Sequence, residues 1–193
     1  VSFASTGSGS NHGSVGGGIG GGFILPLVRD KLNFQFSGLW GPGVGRYGTA
    51  QLPDATFSPT GVIQILTGYS LMGGLVARPI PSVDIYAYGG AEGVNRKYST
   101  PVAGYGNPFT NLSGCFVELG TCNANTSNVV EGTIGAWWRF IQGPYGTMQA
   151  GLQYEYVNRN TFNGSGTTAA VRLTGPTSNE NIIMFSFRYL PLG

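Results

Sequence analysis

Charge is what this 193-residue chain has least of, with Asp, Glu, Lys and Arg together at 9% against about a quarter of an ordinary soluble domain. A water-facing exterior needs more charge than that, so a conventional soluble enzyme is not the expected product. Histidine is almost as scarce. The one residue, His12, lies in a Ser/Gly/Asn-rich opening stretch, so Ser/His/Asp chemistry would have to recruit it from a terminal arm, and it is given no role. Cysteine stops at two, Cys115 and Cys122, in a polar Gly/Asn/Ser-rich segment. Metal sites want more ligands at tighter spacing, so no metal is expected, and a small disulfide-closed loop in an oxidising compartment is the better reading. No window approaches the roughly 18 consecutive apolar residues of a membrane helix. The net charge of +2 is spread without a basic run or stripe, which removes the footprint of a nucleic-acid binder. No charged-then-apolar signal segment opens the chain, and Val1 in place of Met is read as a mature or trimmed product.

What the chain does have is glycine, 34 residues of it, and long alternating segments. Residues 129–162 read as one hairpin. In its second arm Met148, Ala150, Leu152, Tyr154 and Tyr156 share one parity, and Thr147, Gln149, Gly151, Gln153, Glu155 and Arg159 the other. Side chains on a strand alternate faces, so this arm has an apolar face and a polar, partly charged one. The first arm repeats the scheme with Ile134, Ala136, Trp138 and Phe140 against Glu131, Thr133, Gly135 and Arg139, although Trp137 and Ile141 dilute the polar side. Gln142-Gly-Pro-Tyr-Gly146 between them is a Gly/Pro turn. Each arm matches or exceeds the ~9 to 11 residues with which a tilted strand crosses a bilayer.

The same alternation predicts seven strands, 15–27, 32–40, 62–77, 83–98, 130–141, 147–162 and 181–190. The first has an almost bare second face of Gly16, Gly18, Gly20 and Gly22, which suits tight bending or close approach of another backbone. No Gly-Lys-Ser/Thr follows this run, so it is not a phosphate-binding loop, and no cofactor is expected. Short turns at 28–31, 78–82 and 142–146 alternate with long loops at 41–61, 99–128 and 163–179. Residues 1–14 read as a flexible arm or loop, and 15–193 as one β-barrel domain. Up-and-down outer-membrane barrels put short turns on the periplasmic side and long loops outside. They also usually have an even strand number. Seven therefore calls for an eighth strand from the first residues, for missing N-terminal strands of a larger barrel, or for several copies sharing one sheet, because open edges cannot face lipid.

On this reading the polar parity carries Asp84, Glu92, Arg96, Glu131, Arg139, Glu155, Arg159 and Arg188 toward a lumen, where mixed signs either line an aqueous pore or pair into a plug. The aromatics Trp40, Tyr69, Trp138, Tyr154, Tyr156, Phe187 and Tyr189 share the outward parity and suit interfacial girdles toward lipid. Their bland alternative is the core of a soluble sandwich. Glu131 and Glu155 invite a glycosidase or protease reading, but solvated or salt-bridged carboxylates are far commoner, and the chain is not expected to be an enzyme.

Gly-Thr-Ile-Gly-Ala-Trp-Trp-Arg-Phe (132–140), Gln149-Ala-Gly-Leu-Gln-Tyr-Glu-Tyr156 and the terminal Phe185-Ser-Phe-Arg-Tyr189 give the chain a pattern that resembles bacterial outer-membrane β-barrel proteins of the porin type, within a poorly characterised group of them. The resemblance covers most of residues 15–190. It implies an all-β, antiparallel up-and-down transmembrane barrel with 7–8 strands in this chain, or the C-terminal part of a larger one. It also implies an outer-membrane location, lipid as partner, and a passive pore or structural role with small solutes. Two other expectations stand beside it. One is a secreted, extracellular subunit whose strands pair between copies into a tube or filament, and the other is a soluble sugar-binding β-sandwich.

Overall fold

The computed structural model describes residues 13–99, 103–168 and 170–191, so His12 and all but two residues of the 1–14 arm lie outside the described residues. Seven long strands form one antiparallel sheet: β1 (Ile19–Val28), β2 (Leu32–Pro42), β3 (Thr67–Ile80), β4 (Val83–Val94), β5 (Thr126–Gly143), β6 (Gly146–Thr161) and β7 (Thr177–Leu190). Each pairs only with its neighbours in sequence, in the order β1 to β7, and β1 and β7 remain as two edges. The chain is thus all-β with a seven-stranded sheet that does not close on itself.

Short connections and long loops alternate where the turn residues put them. β1 to β2, β3 to β4 and β5 to β6 are joined by tight turns, with Asp30 at φ 61° in the first. The long connections are not structureless, as the sequence suggested. The first holds a 3-10 turn at Gly45–Tyr47 and a hairpin of Ala55–Phe57 with Ile63–Ile65. The second holds Lys97–Ser99 paired with Ala103–Tyr105, a 3-10 turn at Ser113–Phe116 and the Cys115–Cys122 disulfide. The third pairs Gly164–Ser165 with Arg172–Leu173.

Two expected strands change as a result. The expected strand 62–77 breaks at Leu66, whose N–H bonds the Asp54 carbonyl and whose carbonyl accepts from Gly43, both at 2.8 Å. These bonds hold Leu66 in the loop layer at 1% exposure. The expected strand 83–98 ends at Val94, with one further bond in the same register from the Asn95 N–H to the Thr67 carbonyl at 2.8 Å. The first strand also starts late, at Ile19, and β7 starts early, at Thr177.

Register assigns faces without ambiguity. Trp40 faces Tyr69, Phe36 faces Gly73, Leu75 faces Ala87, Ile85 faces Ala136, Ala136 faces Leu152, and Leu152 faces Phe185. From β1 to β7 this face carries no Asp, Glu, Lys or Arg at any registered position. It is also bare of protein. Leu152 is 58% exposed, Phe185 75% and Trp138 57%, and the other sheets formed by the described residues are two-stranded hairpins. Among the described residues the buried hydrophobic ones are Val44, Leu52, Leu66, Val94 and Leu112, all at or beyond the long-loop end of the sheet. Leu52, Leu66 and Val94 pack together there with Ala50 and Tyr105 against them. Burial is the largest influence on the Tyr105 phenol and raises its pKa, with the Arg159 charge and the bond to Thr126 opposing. The core of this protein therefore sits in its loops.

Candidate functional site

The opposite face of the sheet collects the polar parity. Strands two apart are separated by roughly 9.5 Å in a flat sheet, yet the Tyr86 hydroxyl on β4 donates to Gln153 Oε1 on β6 at 2.8 Å, and Tyr88 on β4 donates to Gln35 Oε1 on β2 at 2.9 Å. Such bridges form where the intervening strand offers no side chain to stand between the two. The intervening residues are glycines in direct register: Tyr86 with Gly135, Tyr88 with Gly74. Trp137 likewise lies over its registered partner Gly151, and the Arg188 guanidinium stacks on Trp137 at 4.2 Å from the ring centroid.

This explains part of the glycine excess. A Cβ on Gly151 would meet Trp137 ring atoms at 2.7–2.8 Å, closer than packed side chains tolerate. Gly151→Ala is expected to lose about 1–3 kcal/mol through overpacking. Gly132→Ala, whose Cβ would have nothing within 4 Å, should stay within about 0.5 kcal/mol of the parent. Urea unfolding midpoints of the two variants make the comparison, and equal midpoints would remove the aromatic-on-glycine account.

The charged residues divide along this face. Toward the short turns, Asp84 takes Arg78 Nε on Oδ1 at 2.9 Å and Arg139 Nη2 on Oδ2, while Arg139 Nη1 also donates to the Pro81 carbonyl at 3.2 Å. Toward the long loops, Glu131 Oε1 accepts from Thr133 at 2.8 Å and Glu155 Oε2 accepts from Gln153 at 3.3 Å. Arg159 Nε donates to Thr126 Oγ1 at 2.7 Å. Glu92 reaches up to the first long loop, accepting the N–H of Thr49 at 2.7 Å and of Ala50 at 2.8 Å, together with the Ser70 hydroxyl at 3.1 Å. That loop is thereby folded over the polar face, and a cavity of about 370 Å³ remains beneath it, lined among others by Ser37, Ser70, Tyr88, Glu92, Glu131 and Glu155.

Of the eight charged residues expected on the polar parity, Asp84, Glu92, Glu131, Arg139, Glu155, Arg159 and Arg188 are on this face. Arg96 is the exception: it lies beyond the end of β4, among the loops, with its guanidinium over Phe162. Glu180 was missed, because β7 reaches further than its apolar pattern, and its register opposite Val157 puts it on the polar face. All seven expected aromatics, Trp40, Tyr69, Trp138, Tyr154, Tyr156, Phe187 and Tyr189, lie on the uncharged face. Trp40, Tyr69 and Tyr156 sit toward its long-loop end, and Trp138, Phe187 and Tyr189 toward its short-turn end.

Glu131 and Glu155 are diagonal neighbours on adjacent strands, so the structure does bring that carboxylate pair together. Their hydrogen bonds run to side chains two residues along their own strands, an arrangement that solvates charge. Cys115 and Cys122 form the expected disulfide. Among the described residues no three His, Cys, Asp or Glu side chains gather as a metal site. In comparisons with family models, curated proteins and solved structures, nothing matches this chain.

Proposed function

We propose that this chain is the wall of a transmembrane β-barrel of the bacterial outer membrane, with its uncharged face against lipid and its polar face lining a passage for small polar solutes. The observation that carries the reading is the uncharged, uncovered face spanning all seven strands in register, while the hydrophobic core lies in the loops. Leaving side chains such as Phe185, Ile183 and Leu152 in water would forfeit about 1.5–3 kcal/mol each relative to an apolar surrounding. A bilayer supplies that surrounding. Aromatic residues toward both ends of the face match the two interfacial girdles of outer-membrane barrels. Catalysis is not part of this reading, since the polar face offers hydrogen-bonding groups and solvated charge rather than an activated nucleophile.

In this reading closure comes from beyond these seven strands, whose sheet stays open. A meander with an odd strand number leaves β1 and β7 running in the same direction, and unpaired edge amides in lipid cost several kcal/mol each. An eighth antiparallel strand between them, or strands of further copies, would satisfy both edges. The same open edges favour a second reading, a secreted subunit polymerising strand to strand into a tube or filament.

Flotation separates these possibilities. The proposal expects the purified chain to need detergent for solubility, to float with phosphatidylcholine vesicles after refolding into them, and to make those vesicles leak a small polar dye. Polymer pelleting without detergent would replace it with the filament reading. A monodisperse monomer in plain buffer would leave only the soluble sandwich.

A further inference from the structure

Two arginines stand in one cleft of the loop layer with no carboxylate to answer them. Arg96, just past β4, and Arg172, from the hairpin in the third long connection, both line a cavity of about 310 Å³ together with Pro108, Asn163, Gly164 and Thr174. Each is carried on an aromatic ring. The Arg96 guanidinium carbon is 5.1 Å from the Phe162 ring centroid, and that of Arg172 is 5.4 Å from the Phe109 centroid. The Phe162 ring is itself held, since it meets Tyr105 edge-on with centroids 6.0 Å apart, and Gly106, at φ 66°, lets the chain pass against Phe162 and the Arg96 stem. Arg172 Nη1 also donates to the Pro108 carbonyl at 3.0 Å. Elsewhere among the described residues four arginines meet acids, while Arg159 bonds Thr126 and Arg188 stacks on Trp137. Arg46 pairs with Asp54, Arg78 and Arg139 with Asp84, and Arg29 with Asp30. Arg96 and Arg172 make no such pair among the described residues.

We infer that this cleft is an oxyanion site that takes a phosphoryl group. An aromatic face holds a guanidinium in place while leaving its edge N–H groups free, and that planar edge matches phosphate oxygens in a bidentate pair. Two like charges held in one cleft repel, and a doubly charged anion between them removes the repulsion. A pre-set ring under Arg96 means that little side-chain freedom is lost there on binding. The group recognised is a phosphate ester, presented either by a lipid headgroup or by a soluble molecule. Because the cleft is built from loops beyond the sheet, this inference does not depend on the membrane reading.

Calorimetric titration of the full chain in neutral detergent and low salt with inorganic phosphate and pyrophosphate tests it. Pyrophosphate is expected to bind more tightly than phosphate, and Arg96→Gln or Arg172→Gln each to weaken pyrophosphate binding roughly tenfold. Arg29→Gln, at the opposite end of the sheet, should leave it unchanged. Phe162→Leu keeps the charge but removes the platform and should also weaken binding, and the circular-dichroism spectrum of every variant reports whether the sheet persists. Displacement of pyrophosphate by phosphatidic acid doped into the micelles supports a lipid source, and absence of displacement supports a soluble ester. No binding of either anion, or affinity unchanged in both arginine variants, overturns the site.

Discussion

Leu152→Arg is expected to destabilise the lipid-embedded chain by about 2–4 kcal/mol, Phe187→Arg, nearer the short-turn interface, by less than Leu152→Arg, and Gln153→Arg by much less than either. Leu152 is 58% exposed and stands between Ala136 and Phe185 on the uncharged face. In water an arginine at so open a position would change stability by no more than about 0.5 kcal/mol; against hydrocarbon the charge has to be taken out of water. Gln153, one residue along, points to the polar face. Its replacement gives up the Tyr86 hydrogen bond, about 1 kcal/mol, and keeps the new charge among polar groups. Reversible urea unfolding of vesicle-refolded protein measures all three. Equal losses at Leu152 and Gln153 would mean that the two faces do not meet different solvents.

Asp84→Ala should be the most damaging change on the polar face, at about 2–3 kcal/mol. Its carboxylate holds Arg78 and Arg139 at once, with the Asp84 and Arg139 side chains only 14% and 19% exposed. Removing one partner of a fully buried pair costs ~3–5 kcal/mol because a charge is left without its counterion, and partial exposure here lowers that figure. Arg78, at 52% exposure, can turn to water, so Arg78→Gln should cost no more than about 1 kcal/mol. Asp84→Asn keeps the shape and loses the charge, and should fall between the two. The same unfolding assay reads the series, and an Asp84→Ala variant as stable as Arg78→Gln would show that Arg139 does not rely on this carboxylate.

Strand number, strand parity and the alternation of short turns with long loops were legible in the residues themselves. Alternation is local: Gln149, Gln153 and Glu155 against Ala150, Leu152 and Tyr154 can be sorted from neighbours one position apart. Turns are local as well, since Gln142-Gly-Pro-Tyr-Gly146 carries its own breakers. Strand ends were less legible. Leu66 and Arg96 continue the pattern of their strands, but the Leu66 N–H goes to Asp54 in the loop layer, and Arg96 lies past the end of β4 with its guanidinium over Phe162. Nothing near either residue in sequence announces those partners.

The sequence by itself determined that one side of every long strand is free of charge and that the acids and arginines of the later strands fall on the other, because a period of two needs only the chain's own order. Register was decided by the tertiary structure, since it depends on strands tens of residues apart. Register is what lays Tyr86, Tyr88 and Trp137 over glycines and lets Glu92 draw a loop across the polar face, and contacts between separate connections bring Arg96 and Arg172 into one cleft.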